Sequence, residues 1–311
     1  MKNIVLIDGN NLVHRAYHGI PKMTTSTGME VNAVYGFITL YLKAVKALDA
    51  QYVAVLFDSE TSWRKTLYPE YKAKRRSESS NTLVDQFNLI HKVCKLMNIH
   101  QCFVDTYEAD DLLATYAKQL REFIKKRNLE RTILIITKDK DLQQLVTKDG
   151  IVQVYDSMHD KLIGYEDVIE RWKVLPHQIP IVQAIMGDKV DNITGVAGIG
   201  QMTAFKLVKH FEGDFDAMLT NKAKGATKHQ SPFVVSESVI NKLSTLNARG
   251  DFELSLKLAS LVDDIPVNVS LVDLKVQPPN LAKLKKLLTE LEMFSLFPRL
   301  GISSPAKERF I

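Results

Sequence analysis

The feature that most constrains this chain is a rhythm in which short, apolar, β-branched runs alternate with longer segments of helical period. The runs are Ile4 to Ile7, Tyr52 to Phe57, Gln101 to Val104, Thr132 to Thr137 and Ile151 to Tyr155. Between them lie Ala33 to Leu48, Leu83 to Met97 and Ala109 to Phe123, where apolar residues recur at helical spacing. Apolar runs without polar alternation are strands buried on both faces, so the pattern predicts an α/β fold, a mostly parallel sheet covered by helices. The strand signals fade after about residue 165, and the remainder reads as helices separated by Gly- and Pro-marked turns. The expected division is an α/β domain over 1–165, a helical domain over 166–265, and a segment 266–311 that packs back on the first.

A chain of 311 residues with 45% hydrophobic content can build a full core without covalent help. Its two cysteines, Cys94 and Cys102, sit among apolar neighbours with no CxxC pairing, which predicts reduced core thiols in a reducing compartment. The start MKNIVLIDGN offers only four consecutive apolar residues before Asp8, and no run approaches membrane-spanning length. A soluble, cytoplasmic, monomeric protein is expected.

Four of the strand signals run into acids: IVLI into Asp8, YVAVLF into Asp58, CFV through Asp105 and Thr106 into Glu108, and ILIITK into Asp139 and Asp141. In an open parallel sheet, ligands bind outside the carboxyl ends of the strands, so these acids are expected to meet at one crevice. Any one alone reads as a helix cap or turn residue; four at successive strand ends point to a shared site. In TYEADDLLATYAKQL, Ala109, Leu112, Leu113, Tyr116, Ala117 and Leu120 form one apolar stripe, leaving Glu108, Asp110 and Asp111 on the first turn. Acids there complement the helix dipole. Three in four positions exceeds that need, because each pair ~5 Å apart repels by roughly 3 kcal/mol at an effective dielectric of about 20. Bound cations resolve the conflict, and all-oxygen donors without His or Cys favour Mg²⁺ or Mn²⁺ over zinc. Asp188 and Asp191 in MGDKVDNITG read alone as an ordinary polar loop. With the other seven acids they close the site from the helical part and help hold a second ion.

The formal charge is +5; with nine carboxylates set aside for cations, 41 basic residues face 27 acidic ones, a balance suited to a polyanion. The stretch from Trp63 to Arg76 interleaves Trp63, Tyr68 and Tyr71 with Arg64, Lys65, Lys72, Lys74, Arg75 and Arg76, as on a surface that stacks bases and neutralises phosphates. A solvated basic helix is the plainer reading of the same pattern.

Taken together, LIDGNNLVHRAYHGIP, NAVYGF, LFDSETSWRKTLYPEYKAKRR, YEADDLLA, ITKDKDLQQLV, GDKVDNITGVAGIG and LLTELEMFSLFPRL resemble the 5′-nuclease family. That family includes the 5′–3′ exonuclease domain of bacterial DNA polymerase I, phage 5′-exonucleases and, more distantly, flap endonucleases. The resemblance covers nearly the whole chain. It implies that Asp8, Asp58, Glu108 and Asp110 hold one metal, and that Asp111, Asp139, Asp141, Asp188 and Asp191 form the second-metal and outer group. It implies a helical arch over about 62–95 that admits a single-stranded 5′ end, with Lys72 offsetting charge at the scissile phosphate. Arg15, Arg64, Tyr71, Lys74, Arg75 and Arg76 would contact DNA. Gly195, Gly198, Gly200 and Thr203 would belong to a helix-hairpin-helix element over about 176–211 that grips duplex phosphates with its backbone amides, assisted by K⁺. Thr194, Ala197 and Met202 depart from the family's common Pro, Lys and Lys, which weakens the implied duplex grip. The implied reaction is two-metal hydrolysis of branched, nicked or 5′-flap DNA in replication and repair, with a polymerase domain as a partner in cis or in trans. The competing expectations are a PIN-type ribonuclease and a non-catalytic DNA-junction binding module.

Overall fold

The computed structural model describes residues 2–73, 81–220, 235–245 and 248–303. Its centre is a six-stranded sheet of β1 (Lys2–Asp8), β2 (Ala50–Leu56), β3 (His100–Cys102), β4 (Arg131–Ile136), β5 (Val152–Asp156) and β6 (Lys161–Ile163), in the spatial order β3-β2-β1-β4-β5-β6. All pairs are parallel except β5 with β6. The chain builds outward from β1 to β2 and β3, then returns to β1's other edge with β4. A topological switch point therefore lies beside the carboxyl end of β1, where such sheets place their ligands.

Thirteen α-helices are seen among the described residues. They are α1 (Gly9–Gly19), α2 (Asn32–Ala47), α3 (Trp63–Leu67), α4 (Asn81–Leu96), α5 (Ala109–Lys126), α6 (Tyr165–Trp172) and α7 (Ile179–Met186), followed by α8 (Gln201–Phe211), α9 (Phe215–Thr220), α10 (Glu237–Leu243), α11 (Ala248–Ala259), α12 (Leu271–Leu274) and α13 (Leu281–Glu290). None of the described helices is long and apolar enough to cross a membrane.

Side-chain alternation along the strands sends Ile4, Leu6, Ile133 and Ile135 to one face and Val5, Ile7, Leu134 and Ile136 to the other, all buried. On the first face they meet Leu112, Leu113 and Tyr116 of α5, and this core runs on without a break through Trp172, Val182, Ile185, Leu207 and Val208 of the helical part. On the second face they meet Phe37 and Ile38 of α2, Ile90 and Val93 of α4, and Leu284, Leu287 and Leu288 of α13. The segment after residue 280 thus returns to the sheet because its leucines, spaced to share one side of α13, need that apolar face.

Three features differ from the sequence reading. Helix α1 begins directly after β1 because the Asp8 carboxylate caps it, accepting from Asn11 N at 2.9 Å. The edge strand β6 is three residues long and carries Lys161, features that keep an edge from recruiting further strands. Of the stretch 62–95 expected to arch over the crevice, α4 belongs to the core: Leu83, Gln86, Ile90, Val93 and Cys94 are buried. An apolar helical face of that width packs against the sheet in preference to facing solvent.

Candidate active site and metal centre

The carboxyl edge of the sheet gathers the acids. Asp8, 6% exposed, caps α1 and accepts from Thr137 Oγ1 at 3.2 Å. Thr137 ends the β4 side of the switch point, and its hydroxyl also accepts from Asp139 N at 3.0 Å, while Asp139 Oδ1 accepts from Asp141 N at 2.8 Å. Asp58 follows β2; its Oδ1 accepts from Ala109 N at 2.7 Å, at the N-terminus of α5, and its own amide donates to Asn10 Oδ1 at 3.0 Å. One network of main-chain and hydroxyl donors thus fixes acids from three strand ends, the support a ligand site needs from its surroundings.

Electrostatics report the crowding. Burial pushes Asp8 up to about 7, and the charges of Asp58 and Asp139 add to the rise against the opposing Asn11 and Thr137 hydrogen bonds. Burial, Asp139 and Asp8 hold Asp110 well above the carboxylate range. Asp141 is also pushed up to about 7, by burial and then Asp139, with Asp188 and Asp191 contributing. Asp8, Asp58, Asp110 and Asp139 therefore share one field, and Asp141, Asp188 and Asp191 adjoin it. Asp188, 6% exposed, accepts from Val190 N at 2.8 Å and lies 3.6 Å from Lys140 Nζ.

Glu108 behaves differently. Burial alone would raise it, but Lys72 and Arg64 outweigh that cost and keep it below the usual range. Its Oε2 accepts from Lys72 Nζ at 3.0 Å and Tyr71 hydroxyl at 3.3 Å, and its Oε1 from Ser62 Oγ at 3.0 Å. Burial would in turn lower Lys72, yet Glu108, Asp191 and Asp110 hold its ammonium protonated above the ordinary lysine range. Lys72 has a left-handed backbone, φ 56°, fixed by donation from its amide to Asp191 O at 2.9 Å. A non-glycine residue held in that region at a cluster of charge is strain that surrounding contacts must support. Asn192 supplies one of them, donating from Nδ2 to Glu70 O at 2.8 Å.

Other expected residues have different placements. Asp111 is fully buried. Arg64, 1% exposed, grips it with two 2.7 Å hydrogen bonds, while Val262 N at 2.9 Å and Trp63 Nε1 at 3.2 Å also donate to it. Arg64 itself reaches Leu258 O and Ser260 O at 2.9 and 2.8 Å. The expectation that Arg64 contacts DNA is therefore corrected, and Asp111, expected in the second-metal and outer group, is engaged by Arg64, which also reaches Glu108 Oε2 at 3.5 Å: the two form a buried clamp between the segment after β2 and residues 258–262. Tyr71, expected to stack on a base, is 3% exposed with its hydroxyl shared between Glu108 and Asp191, which corrects that expectation too. Arg15 is half-buried and donates to Ser157 Oγ and O at 2.5 and 3.2 Å. It lines a cleft of about 520 Å³ with Asn11, His14, Lys138 and Met158. Lys74, Arg75 and Arg76 lie outside the described residues.

The Gly-rich hairpin joins α7 to α8. Gly195 (φ 65°) lies so close to Gly187 that a Cβ on it would fall 2.2 Å from Gly187 N, so this turn admits no side chain. Gly200 precedes α8 in open space, and Thr203, half-buried, donates from its amide to Gly200 O at 3.1 Å. The Gly198 carbonyl accepts from Lys242 Nζ at 2.9 Å.

Thr137, Asn10, Ser62 and Asn192 were not singled out by the sequence reading. A hydroxyl directly after the apolar β4 run was the available signal for Thr137; Asn10 is a polar residue in the first turn of α1, and Ser62 and Asn192 lie in loops with no periodicity to mark them. Among the described residues, no three His, Cys, Asp or Glu side chains are drawn into a ready-made cation cage. The acids are an open array, and one buried acceptor in it, Asp141 Oδ1, has no hydrogen-bond partner. An orphaned carboxylate oxygen among acids with raised pKa values is a donor set that fits a hard cation.

A mostly parallel sheet with an acidic crevice at its switch point, continuous with a helical part bearing a Gly-rich hairpin, defines the class of this protein. Residues 3–173 match the 5′-3′ exonuclease N-terminal resolvase-like domain, and residues 174–282 match the 5′-3′ exonuclease C-terminal SAM fold. The chain belongs to the 5′-3′ exonuclease family. It is similar to a 5′-3′ exonuclease of Aquifex aeolicus, 34% identical across 95% of this chain and 94% of that protein. It is also similar to DNA polymerase I of Caldicellulosiruptor bescii, 33% identical across 99% of this chain, of which it spans 34% of the length. In fold it is similar to a phage T5 5′-exonuclease solved with zinc (TM-score 0.63, 23% identity, 94% and 99% of the two chains). It is similar too to the catalytic core of Rad2 in complex with DNA substrate (TM-score 0.60, 14% identity, 96% and 92%).

Proposed function

We propose that this protein is a structure-specific 5′ nuclease that hydrolyses phosphodiester bonds in branched, nicked or 5′-flap DNA with the help of two divalent cations, Mg²⁺ or Mn²⁺. The observation that carries the reading is the shared field of Asp8, Asp58, Asp110 and Asp139 at the switch point, with the Lys72 ammonium beside it on Glu108. Asp8, Asp58, Glu108 and Asp110 would hold one cation, and Asp139, Asp141, Asp188 and Asp191 the other. When bound, such ions activate water and offset phosphate charge in an in-line displacement.

The chain's own groups do the rest. Thr137 and the α1 and α5 amides hold Asp8 and Asp58 in place, so little reorganisation is needed when a phosphate arrives. Lys72 keeps its proton under the pull of Glu108, Asp191 and Asp110, and presents a fixed positive charge to a phosphate whose negative charge grows on the way to the transition state. The Arg64–Asp111 clamp and the contacts of Lys72 N and Asn192 hold the base of the substrate-admitting stretch against the acid-bearing loop. A polymerase partner in cis or in trans, supported by the similarity to DNA polymerase I, belongs to the same proposal, as do a monomeric state and a cytoplasmic location.

The test is a substrate panel carrying end labels: 5′-flap DNA, 3′-flap DNA, linear single-stranded DNA and single-stranded RNA, each with Mg²⁺ and with chelator. Cleavage of the 5′-flap near its junction, dependent on Mg²⁺, is expected. Hydrolysis of RNA alone would establish the PIN-type ribonuclease instead, and tight flap binding without cleavage would establish a non-catalytic junction module.

A further inference from the structure

The most exposed phenylalanine among the described residues stands at the carboxyl end of the edge strand β3. Phe103 is 59% exposed, follows Cys102 directly and, by the β2–β3 register, is level with Phe57, the residue before Asp58. A single exposed apolar side chain calls for no explanation. This one ends a stack of rings. Phe57 is buried against Gly9, where a Cβ would fall 2.6 Å from its ring; His91 of α4 lies on Phe57, ring centroids 4.4 Å apart; and Phe103 meets His91 edge-on at 6.0 Å. Gln101 holds His91 in this position, with Oε1 2.8 Å from its Nδ1 and Nε2 donating to its carbonyl at 3.1 Å. The outermost ring is therefore kept at the surface by the rings beneath it.

The loop that carries Phe103 has a second unusual feature. Tyr107 N donates to Val104 O at 3.1 Å, closing a turn whose third residue, Thr106, has φ 71°. Glycine is the usual occupant of that position, and a β-branched residue there is held against its own preference by its surroundings. Those surroundings are the segment after Asp58: Thr106 N donates to Ser59 Oγ at 3.2 Å, Thr106 O accepts from Trp63 N at 2.8 Å, and Tyr107 O accepts from Ser59 N at 3.1 Å. Backbone strain of this kind gathers at sites that grip ligands. The loop is thus fixed to the stretch that runs from Asp58 toward Lys72, while Phe103 itself belongs to neither core.

Strand order gives this ring a place beside the acids. The cleft of Arg15 and Lys138 lies on the β4–β5 side of β1, and Phe103 lies on the opposite side, two strand spacings or ~10 Å from the end of β1. A nucleic-acid strand with one phosphate at the acids and its paired part on the cleft side reaches Phe103 within about three nucleotides. Paired bases keep their faces in the duplex stack, whereas an unpaired base is free to lie on an aromatic ring. Asp105, exposed two residues on, disfavours a phosphate at this point, so the ring suits a base and not the backbone. We propose that Phe103 is a stacking platform for one unpaired nucleobase of the 5′ arm, a substrate contact that orients the strand across the acids. The inference rests on the reading of the protein as a nuclease acting on 5′-flap DNA.

The experiment measures equilibrium binding of the full chain, in Ca²⁺, to a 5′-flap DNA and to a series of the same flap with a single abasic residue at each unpaired position near the junction in turn. Wild type, Phe103→Ala, Phe103→Leu and Phe103→Tyr are compared. Phe103→Ala and Phe103→Leu are expected to bind the intact flap about 5- to 30-fold more weakly, and Phe103→Tyr nearly as wild type. Leu keeps apolar bulk and loses the ring, which separates stacking from packing. For wild type, an abasic residue at one or two adjacent positions should cause a similar loss, and Phe103→Ala should add less than about twofold to it. The abasic arm requires no variant, so it tests the proposal even if Phe103→Ala folds poorly. Wild type that binds every abasic flap as tightly as the intact one would overturn the proposal, as would a Phe103→Ala loss that adds in full at every position. Either result leaves the nuclease reading standing. If wild type neither prefers the 5′-flap to the same duplex without an arm nor cuts it in Mg²⁺, that reading fails and the proposal falls with it.

Discussion

Replacing Asp8 with Asn tests the energetics of the acid cluster. Asp8 is buried and keeps its proton until about pH 7, against an ordinary 3.8. For an acid raised in the folded state, the unfolded chain loses its proton first as pH rises. The folded state is therefore not penalised below pH 3.8, loses about 1.36 kcal/mol for each pH unit above it, and carries the full penalty above about pH 7. That amounts to about 4 kcal/mol, an energy that belongs to Asp8 together with Asp58 and Asp139. Asn keeps an oxygen for the Asn11 amide and removes the charge. At about 2 °C per kcal/mol, the variant should melt up to roughly 8 °C above wild type at pH 8 in chelator. Scanning calorimetry at pH 5 and pH 8, with chelator and with millimolar Mg²⁺, reads this directly. The gap should shrink at pH 5, where wild-type Asp8 is protonated, and should narrow by more than half in Mg²⁺, which stabilises wild type by about 2.7 kcal/mol at a hundred times its dissociation constant. A variant that melts at or below wild type in chelator at pH 8, with no dependence on pH, would refute the reasoning.

Arg64→Ala leaves Asp111 charged and buried without its fork, and should lower stability by about 3–5 kcal/mol in urea denaturation, with Arg64→Lys restoring only part because an ammonium cannot reproduce two parallel bonds. An unchanged urea midpoint would remove the clamp from the account. Lys72→Ala should slow single-turnover cleavage of a 5′-flap by roughly 10²- to 10³-fold while flap binding in Ca²⁺ changes by less than about tenfold; cleavage at the wild-type rate would leave this lysine as part of a solvated basic face.

The parts of the fold that rest on periodicity were legible in the sequence. Strands buried on both faces spell themselves as unbroken apolar runs, and Asp8, Asp58 and Asp139 follow such runs, so their convergence at a switch point could be anticipated from topology alone. Partner choice was not legible. Arg64 and Asp111 carry the same charges as their exposed neighbours, and their burial depends on main-chain groups of residues 258–262, nearly 200 positions beyond Arg64. Tyr71 sits in a basic run that reads as surface, yet its hydroxyl bridges two acids inside the site. The extent of the arch was misjudged for a related reason: α4 is amphipathic and continuous with the basic stretch in sequence, but its apolar face belongs to the second core. Lys242 is one lysine among many until the structure lays it on Gly198.

The most direct test of the central claim, that the crevice acids hold the cations which make this chain a 5′ nuclease, is single-turnover cleavage of a 5′-flap across a Mg²⁺ titration for wild type, Asp8→Asn and Asp110→Asn. Cleavage by wild type should rise with Mg²⁺ and vanish in chelator, and both variants should lose at least about 10²-fold in a way that saturating Mg²⁺ does not restore. Cleavage that survives in chelator, or either variant cutting at the wild-type rate, would contradict it.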